Sequence, residues 1–258
     1  MGCIELVDIV STILQCGVLA YIMVKTTRMM PGTKQCIFPF FVVLAMASCL
    51  LSNLYWIAYD ILNPDTRMPI AANEIAECAA VLLLSAGLNA VLKNRQKVPA
   101  EILFAVFYTV GNIVLWIVWS GEWFQDIFFG IPYIYFLWIL VRGLRSRGPL
   151  SPRELYMMAV VSVVALALLA MLPISGGGVY AFAKYASYVL KFALMLWLGI
   201  RCLQSRDVFM ASTFFLWTNF AMFSSAEFYY YIAFLANTAS FPFLFVSLKK
   251  ELHDNAVR

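Results

Sequence analysis

The sequence predicts an all-α protein: a polytopic integral membrane bundle of about eight to nine transmembrane helices, with the N-terminus outside and the C-terminus cytoplasmic. Composition is the first evidence, because 63% of the 258 residues are hydrophobic and only 12% are charged. A soluble domain has about 45–50% apolar and about 25% charged residues. The second is a succession of apolar stretches that reach the length of about 20 residues needed to cross a bilayer.

Short polar loops, several of them containing proline or glycine, separate these apolar stretches. The predicted helices cover residues 4–24, 36–62, 70–92, 101–119, 123–145, 153–173, 177–203, 208–225 and 228–248. The last two form one long apolar stretch broken by Ser224, Ser225 and Glu227, so an eight-span fold with one re-entrant helix stays open. We expect a single transmembrane domain over residues 1–248 and a short polar cytoplasmic tail over residues 249–258.

The distribution of basic residues predicts the orientation. Nearly all lysines and arginines fall in every second loop or in the tail, whereas the alternate loops hold only Arg67. Because loops rich in Lys and Arg stay in the cytoplasm, this pattern places the N-terminus outside. The loops are short and the predicted outer loops contain no Asn-x-Ser/Thr acceptor, so we predict a bacterial cytoplasmic (inner) membrane.

Several function classes are excluded by composition. No polar stretch is long enough for an appended catalytic or DNA-binding module, and the net charge of +4 is spread over loops rather than gathered for nucleic acid. The six cysteines show no CxxC spacing and the single histidine, His253, lies in the tail. We therefore expect no metal site and no cofactor.

Aromatic, acidic and amide side chains gather near the predicted outer ends of several helices. Aromatic ring faces hold cations, at about 0.5–2 kcal/mol each, and carboxylates would attract them. The structural alternatives are an interfacial belt of tryptophan and tyrosine and asparagines that only bridge helices. The candidate ligand-binding residues in this group are Asn53, Trp56, Tyr59, Asp60, Asn112, Trp116, Asn219 and Glu227.

Ionisable side chains inside predicted helices 3 and 7 complete the candidate site, because such groups are costly in a membrane and suggest function. Glu74 and Glu77 are three residues apart and share a helix face. Lys184 has the same predicted depth as Glu77, which predicts an ion pair between them. Lys191 lies about 21 Å deep by the helical rise, so it must face the bundle or a water-filled cavity. The alternatives are a first-turn glutamate favoured by the helix dipole and snorkelling lysines.

The placement of Lys191 on helix 7 and a carboxylate on helix 3 resembles the retinal Schiff-base layout of microbial rhodopsins. The resemblance implies Lys191 as the attachment residue and Glu74 or Glu77 as the counter-ion. In that family the lysine helix is the last, whereas here two more predicted helices follow it.

The stretch Asn53-Leu-Tyr-Trp56 resembles the Asn-x-x-Trp-Glu stretch of small membrane terpene cyclases. Ile57 replaces the acid after the tryptophan, and Asp60 stands one turn later. The resemblance implies an aromatic pocket with a carboxylic acid that protonates an isoprenoid.

Three function classes fit these observations. The first is a transporter that binds a small cationic or amphipathic solute in an outward-facing aromatic and acidic pocket. The second is a receptor-like sensor that signals through a separate partner. The third is an enzyme acting on a lipid or isoprenoid, with Asp60 or Glu227 as general acid. The expected partners are membrane lipid and a small-molecule ligand, with a homo-oligomer or a signalling protein as further alternatives, and no nucleic acid.

Overall fold

The computed structural model describes residues 3–32, 37–63, 72–92, 98–172, 177–204, 207–223 and 227–256, and all regular structure in these ranges is helical. The all-α prediction is therefore confirmed. The α-helices of the described ranges are α1 Cys3–Met29, α2 Ile37–Leu62, α3 Ala72–Ala90, α4 Pro99–Ser120, α5 Trp123–Arg147, α6 Pro152–Ala170, α7 Gly177–Leu203, α8 Val208–Phe223 and α9 Glu227–Ala256. Asp65, Arg67 and the side chain of Glu227 lie outside the described residues.

Seven of these helices are long and apolar enough to cross a membrane: α1, α2, α4, α5, α6, α7 and α9. The chain is therefore an integral membrane protein with several spans. Helix α8 is apolar but shorter, and α3 carries Glu74 in its first turn with Glu77 one turn later. Whether α3 and α8 also span, as the count of eight to nine requires, stays a prediction.

Helix α9 differs most from the predicted boundaries. It continues to Ala256, whereas the sequence suggested a separate polar tail from residue 249. The segment from Lys249 to Ala256 contains no proline or glycine, so nothing in it stops the helix after the apolar part ends. Pro242 lies inside α9 and Pro132 inside α5.

The described chain divides into two compact units. Unit 1 comprises residues 1–91 and 214–258, and unit 2 comprises residues 92–213. In unit 1, α2 packs against α1 and α3, and α1 packs against α9. In unit 2, α4 packs against α5 and α6, and α6 packs against α7. The predicted organisation as a single domain stays a prediction.

Glycines allow the closest packing inside unit 2. Gly143 on α5 lies against the fully buried ring of Phe209, and a Cβ at position 143 would overlap that ring. A Cβ at Gly130 of α5 would likewise overlap the side chain of Ile113 on α4. Small residues at helix interfaces are how membrane helices approach each other, so these glycines fix the position of α5.

Gly143→Ala should therefore destabilise the protein, because overpacking a core costs about 1–3 kcal/mol. The matched control is Gly199→Ala on α7, where a Cβ meets nothing within 4 Å and alanine favours the helix by about 0.5–1 kcal/mol. Thermal unfolding in one detergent should show a lower midpoint for Gly143→Ala only. Equal midpoints for the two variants would contradict the close packing of α5.

Candidate functional site

An acidic layer lies at one end of unit 1, where the start of α1, the end of α2, the start of α3 and the start of α9 come together. Its members are Asp8, Asp60, Glu74, Glu77, Tyr230 and Tyr231. The Tyr231 side chain hydrogen-bonds Asp8, and the Asp8 carboxyl is repelled by Asp60. Tyr230 lies close enough to both Glu77 and Asp8 for their charges to act on its hydroxyl. It therefore stands between the carboxylate of α3 and that of α1.

Glu77 is the best-defined carboxylate of the acidic layer. Its Oε1 accepts a hydrogen bond of 3.2 Å from the buried hydroxyl of Ser52 on α2. The carboxyl of Glu74, one turn earlier on α3, repels it. Among the described residues of unit 1, Glu77 has no ion-pair partner, and the Ser52 hydroxyl donates the one hydrogen bond that its carboxyl accepts. A cation beside Glu77 would therefore relieve both the repulsion and the missing charge compensation.

An amide layer lies deeper in unit 1 and links α1, α2, α8 and α9. It consists of Gln15, Asn53, Thr218, Asn237 and Thr238. The Asn53 Nδ2 donates to Gln15 Oε1 at 2.7 Å, and Gln15 Nε2 donates to Thr238 Oγ1 at 2.9 Å and to Asn237 Oδ1 at 3.3 Å. Asn237 Nδ2 donates to Thr218 Oγ1 at 3.1 Å. Amide and hydroxyl groups of four helices thus satisfy one another away from water.

The two layers have a fixed spacing. Seven residues, close to two helical turns and about 10 Å, separate a member of the acidic layer from a member of the amide layer on the same helix face. The pairs are Asp8 and Gln15 on α1, Asp60 and Asn53 on α2, and Tyr230 and Asn237 with Tyr231 and Thr238 on α9. Two polar layers therefore lie two helical turns apart on the same faces of α1, α2 and α9.

The predicted aromatic residues of α2 lie beside the acidic layer. Trp56 and Tyr59 are half-buried, and the rings of Tyr55 and Tyr59 stack with centroids 6.2 Å apart. Asn219 is buried, but its Nδ2 donates to the Phe215 carbonyl of its own helix at 2.9 Å. Asn219 thus satisfies itself locally, and its neighbour Thr218 joins the amide layer instead.

Lys191 of unit 2 lies inside the helix bundle, as its depth predicted. It is 4% exposed, and its Nζ stands 5.7 Å from the centre of the Tyr108 ring. Gly111 leaves room for it, because a Cβ there would stand 2.9 Å from Lys191 Cε. Within unit 2, the described residues offer Nζ no hydrogen-bond acceptor. The amine of Lys191 therefore makes a cation–π contact with the ring face of Tyr108.

The remaining predicted residues of unit 2 do not belong to the acidic layer. The Asn112 Nδ2 donates to the Tyr108 carbonyl at 3.0 Å, and the Trp116 ring lies 6.3 Å from that of Tyr133. Lys184 is half-buried on α7. Glu77 and Lys184 belong to different units, so the ion pair between them stays a prediction.

Sequence reasoning missed a set of ion pairs in unit 2. The buried Glu101 carboxylate pairs with Arg145, Glu154 pairs with Arg201, and Asp207 pairs with Arg147 at 3.1 Å. The charge pattern places these arginines in basic loops and predicts no partner for them. Helices α4 and α5 run in opposite directions, so the start of α4 lies level with the end of α5. This order is the feature of the sequence from which the Glu101–Arg145 pair could be predicted. These pairs neutralise charge at helix ends, so we interpret them as structural.

The amide layer generates a direct test. Gln15→Leu removes the partner of Asn53 and Thr238, and interhelical hydrogen bonds in membranes contribute about 0.6–2 kcal/mol each. We expect a lower unfolding midpoint in detergent for Gln15→Leu. Asn89→Leu, on an exposed position of α3, is the matched control and should unfold like the unmodified protein. A Gln15→Leu midpoint at or above that of the control would show that the layer adds no stability.

Comparison of the chain with protein-family models, curated proteins and solved structures finds no match.

Proposed function

We propose that this protein is a transporter that binds a small organic cation, or an amphipathic solute with a cationic group, at the acidic layer of unit 1. The stacking of the acidic layer above the amide layer is the observation that supports this proposal. The acidic layer would attract and select the cation, and the amide layer would bind it after it loses its water of hydration. The positive-inside pattern makes the acidic layer the outward end, in a membrane that we propose is the bacterial cytoplasmic one.

The acidic layer suits a cation because of its charge balance. Asp8, Asp60, Glu74 and Glu77 come from three helices; Asp60 repels Asp8, and Glu74 repels Glu77. Clustered charge of one sign raises the local concentration of the opposite ion and speeds its arrival. The phenol rings of Tyr230 and Tyr231 add faces on which an organic cation can rest.

The amide layer supplies neutral oxygen atoms deeper in the unit. Gln15, Asn53 and Asn237 carry carbonyl oxygens, and Thr238 carries a hydroxyl. Pro242 adds another, because proline has no N–H and so cannot donate the helical hydrogen bond to the Thr238 carbonyl. Carbonyls released where a membrane helix is interrupted commonly coordinate cations in transporters. A cation leaving the acidic layer would therefore find oxygen ligands two turns deeper.

The test is uptake by proteoliposomes that contain the purified protein, with tetramethylammonium, a primary alkylamine, a polyamine and sodium as probes. Glu77→Gln should weaken uptake of the favoured cation by about tenfold or more, which corresponds to about 1.4 kcal/mol of lost interaction. Glu122→Gln changes the acid at the N-cap of α5 in unit 2 and is the matched control. It should transport normally, and both variants should unfold at the same temperature.

Other outcomes distinguish the alternatives. Normal uptake by Glu77→Gln would overturn the assignment of this residue. Cation binding without uptake by the unmodified protein would replace the transporter with a sensor. Conversion of a membrane lipid extract that stops in Asp60→Asn would replace it with an enzyme.

A further inference from the structure

An apolar groove runs along unit 1 between α1 and α9. It has a volume of about 640 Å³ and extends from Ile13 to Ile22 on α1 and from Pro242 to Val246 on α9. Gly17 lines the groove. A Cβ at this position would meet nothing within 4 Å, so a larger side chain there would extend into the open space. The groove is lined by apolar side chains and Tyr21, and no member of the acidic layer contributes to it. It is therefore a feature separate from the cation site.

The length of the groove matches one leaflet of a bilayer. Nine helical steps from Ile13 to Ile22, at 1.5 Å each, give about 14 Å. The hydrocarbon core of a bilayer is about 30 Å thick, so the groove covers close to half of it. A single acyl chain of one leaflet has the shape and the polarity to lie in it.

Basic residues mark one end of the groove. The Asp8–Tyr231 and Gln15–Thr238 contacts keep the same offset along the chain, so α1 and α9 run parallel. At that offset Lys25 is level with the turn of α9 that carries Lys249. Tyr21 lines the groove, and Lys25 Nζ lies 5.5 Å from the centre of its ring. The ammonium group of Lys25 therefore lies at one end of the apolar groove.

The charge at this end favours an anionic group. Lys25 and Arg28 stand near the end of α1, Lys249 and Lys250 stand in the part of α9 that follows the groove, and Glu251 is the acidic side chain among the described residues beside them. The opposite end of α1 carries Asp8 of the acidic layer. An amphipath with a negative head would therefore lie in the groove in one direction only.

We propose that the groove binds a phospholipid with an anionic headgroup, with one acyl chain along Gly17 and the headgroup at Lys25 and Lys249. Basic residues at the cytoplasmic ends of membrane helices are the usual recognition elements for such lipids. By the predicted orientation this is a lipid of the cytoplasmic leaflet. The proposal does not depend on transport of a cation by unit 1.

The test is native mass spectrometry of the full chain released from nanodiscs that contain equal amounts of phosphatidylglycerol and phosphatidylcholine. The unmodified protein should retain one phosphatidylglycerol in preference to phosphatidylcholine. Gly17→Leu fills the groove and should lose that lipid. Gly199→Leu, at a glycine of α7 that also has open space around it, is the matched control and should retain it.

The headgroup contact is tested separately. Lys25→Gln combined with Lys249→Gln should reduce the preference for phosphatidylglycerol by about tenfold or more, because each lysine near an anionic surface contributes about fivefold. A lipid should still be retained, since the groove is intact. Arg153→Gln, an exposed basic residue of unit 2, should leave the preference unchanged.

Two results would overturn the proposal. Equal retention by Gly17→Leu and Gly199→Leu would show that only surrounding bilayer lipid had been carried along. Equal retention of the two lipids by the unmodified protein would show that the basic end selects no headgroup. The unfolding temperature of each variant establishes that the fold is intact.

Discussion

The structure depends on one constraint: a polar group inside a bilayer must find its partner within the protein, because lipid offers none. Unit 1 meets this constraint with amide and hydroxyl groups, and the Asn53–Gln15–Thr238 hydrogen bonds connect α1 to its neighbour α2 and to α9, which is far away in sequence. Unit 2 meets it with charge, and the buried Glu101–Arg145 pair joins α4 to α5. Polar contacts therefore contribute to holding these helices together.

Glu77 and Lys191 differ from the paired charges of unit 2. Among the described residues of its own unit, Glu77 accepts one hydrogen bond, from Ser52, and has a second carboxylate nearby. Among those of unit 2, Lys191 has the ring of Tyr108 and a glycine that makes space for it. An ionisable side chain in a membrane is costly, and Glu101, Glu154 and Asp207 each have an arginine partner. The described residues of unit 1 give Glu77 no such partner, which sets it apart from these structural charges.

Hydropathy predicted the helices well, because bilayer thickness dictates their length, but α9 continues to Ala256, beyond the apolar residues from which its end was predicted. The carboxylates of α3 were predicted because their position is itself unusual. Gln15 and Asp8 were not, since their importance comes from the packing of α1 against α9, the first and last helices of the chain. A periodic signal was present: polar residues seven apart on α1, α2 and α9 indicate one polar face on each helix.

The central claim is that Glu77 faces a water-accessible site that favours cations. The Cys49 thiol is half-buried and lies close enough to Glu77 for their charges to interact, so it reports on this site without any added probe residue. The decisive measurement is the rate at which Cys49 reacts with a cationic and an anionic methanethiosulfonate reagent of similar size, followed by peptide mass spectrometry. We predict faster reaction with the cationic reagent, and a loss of that preference in Glu77→Gln. Equal rates, or no reaction with either reagent, would contradict the account.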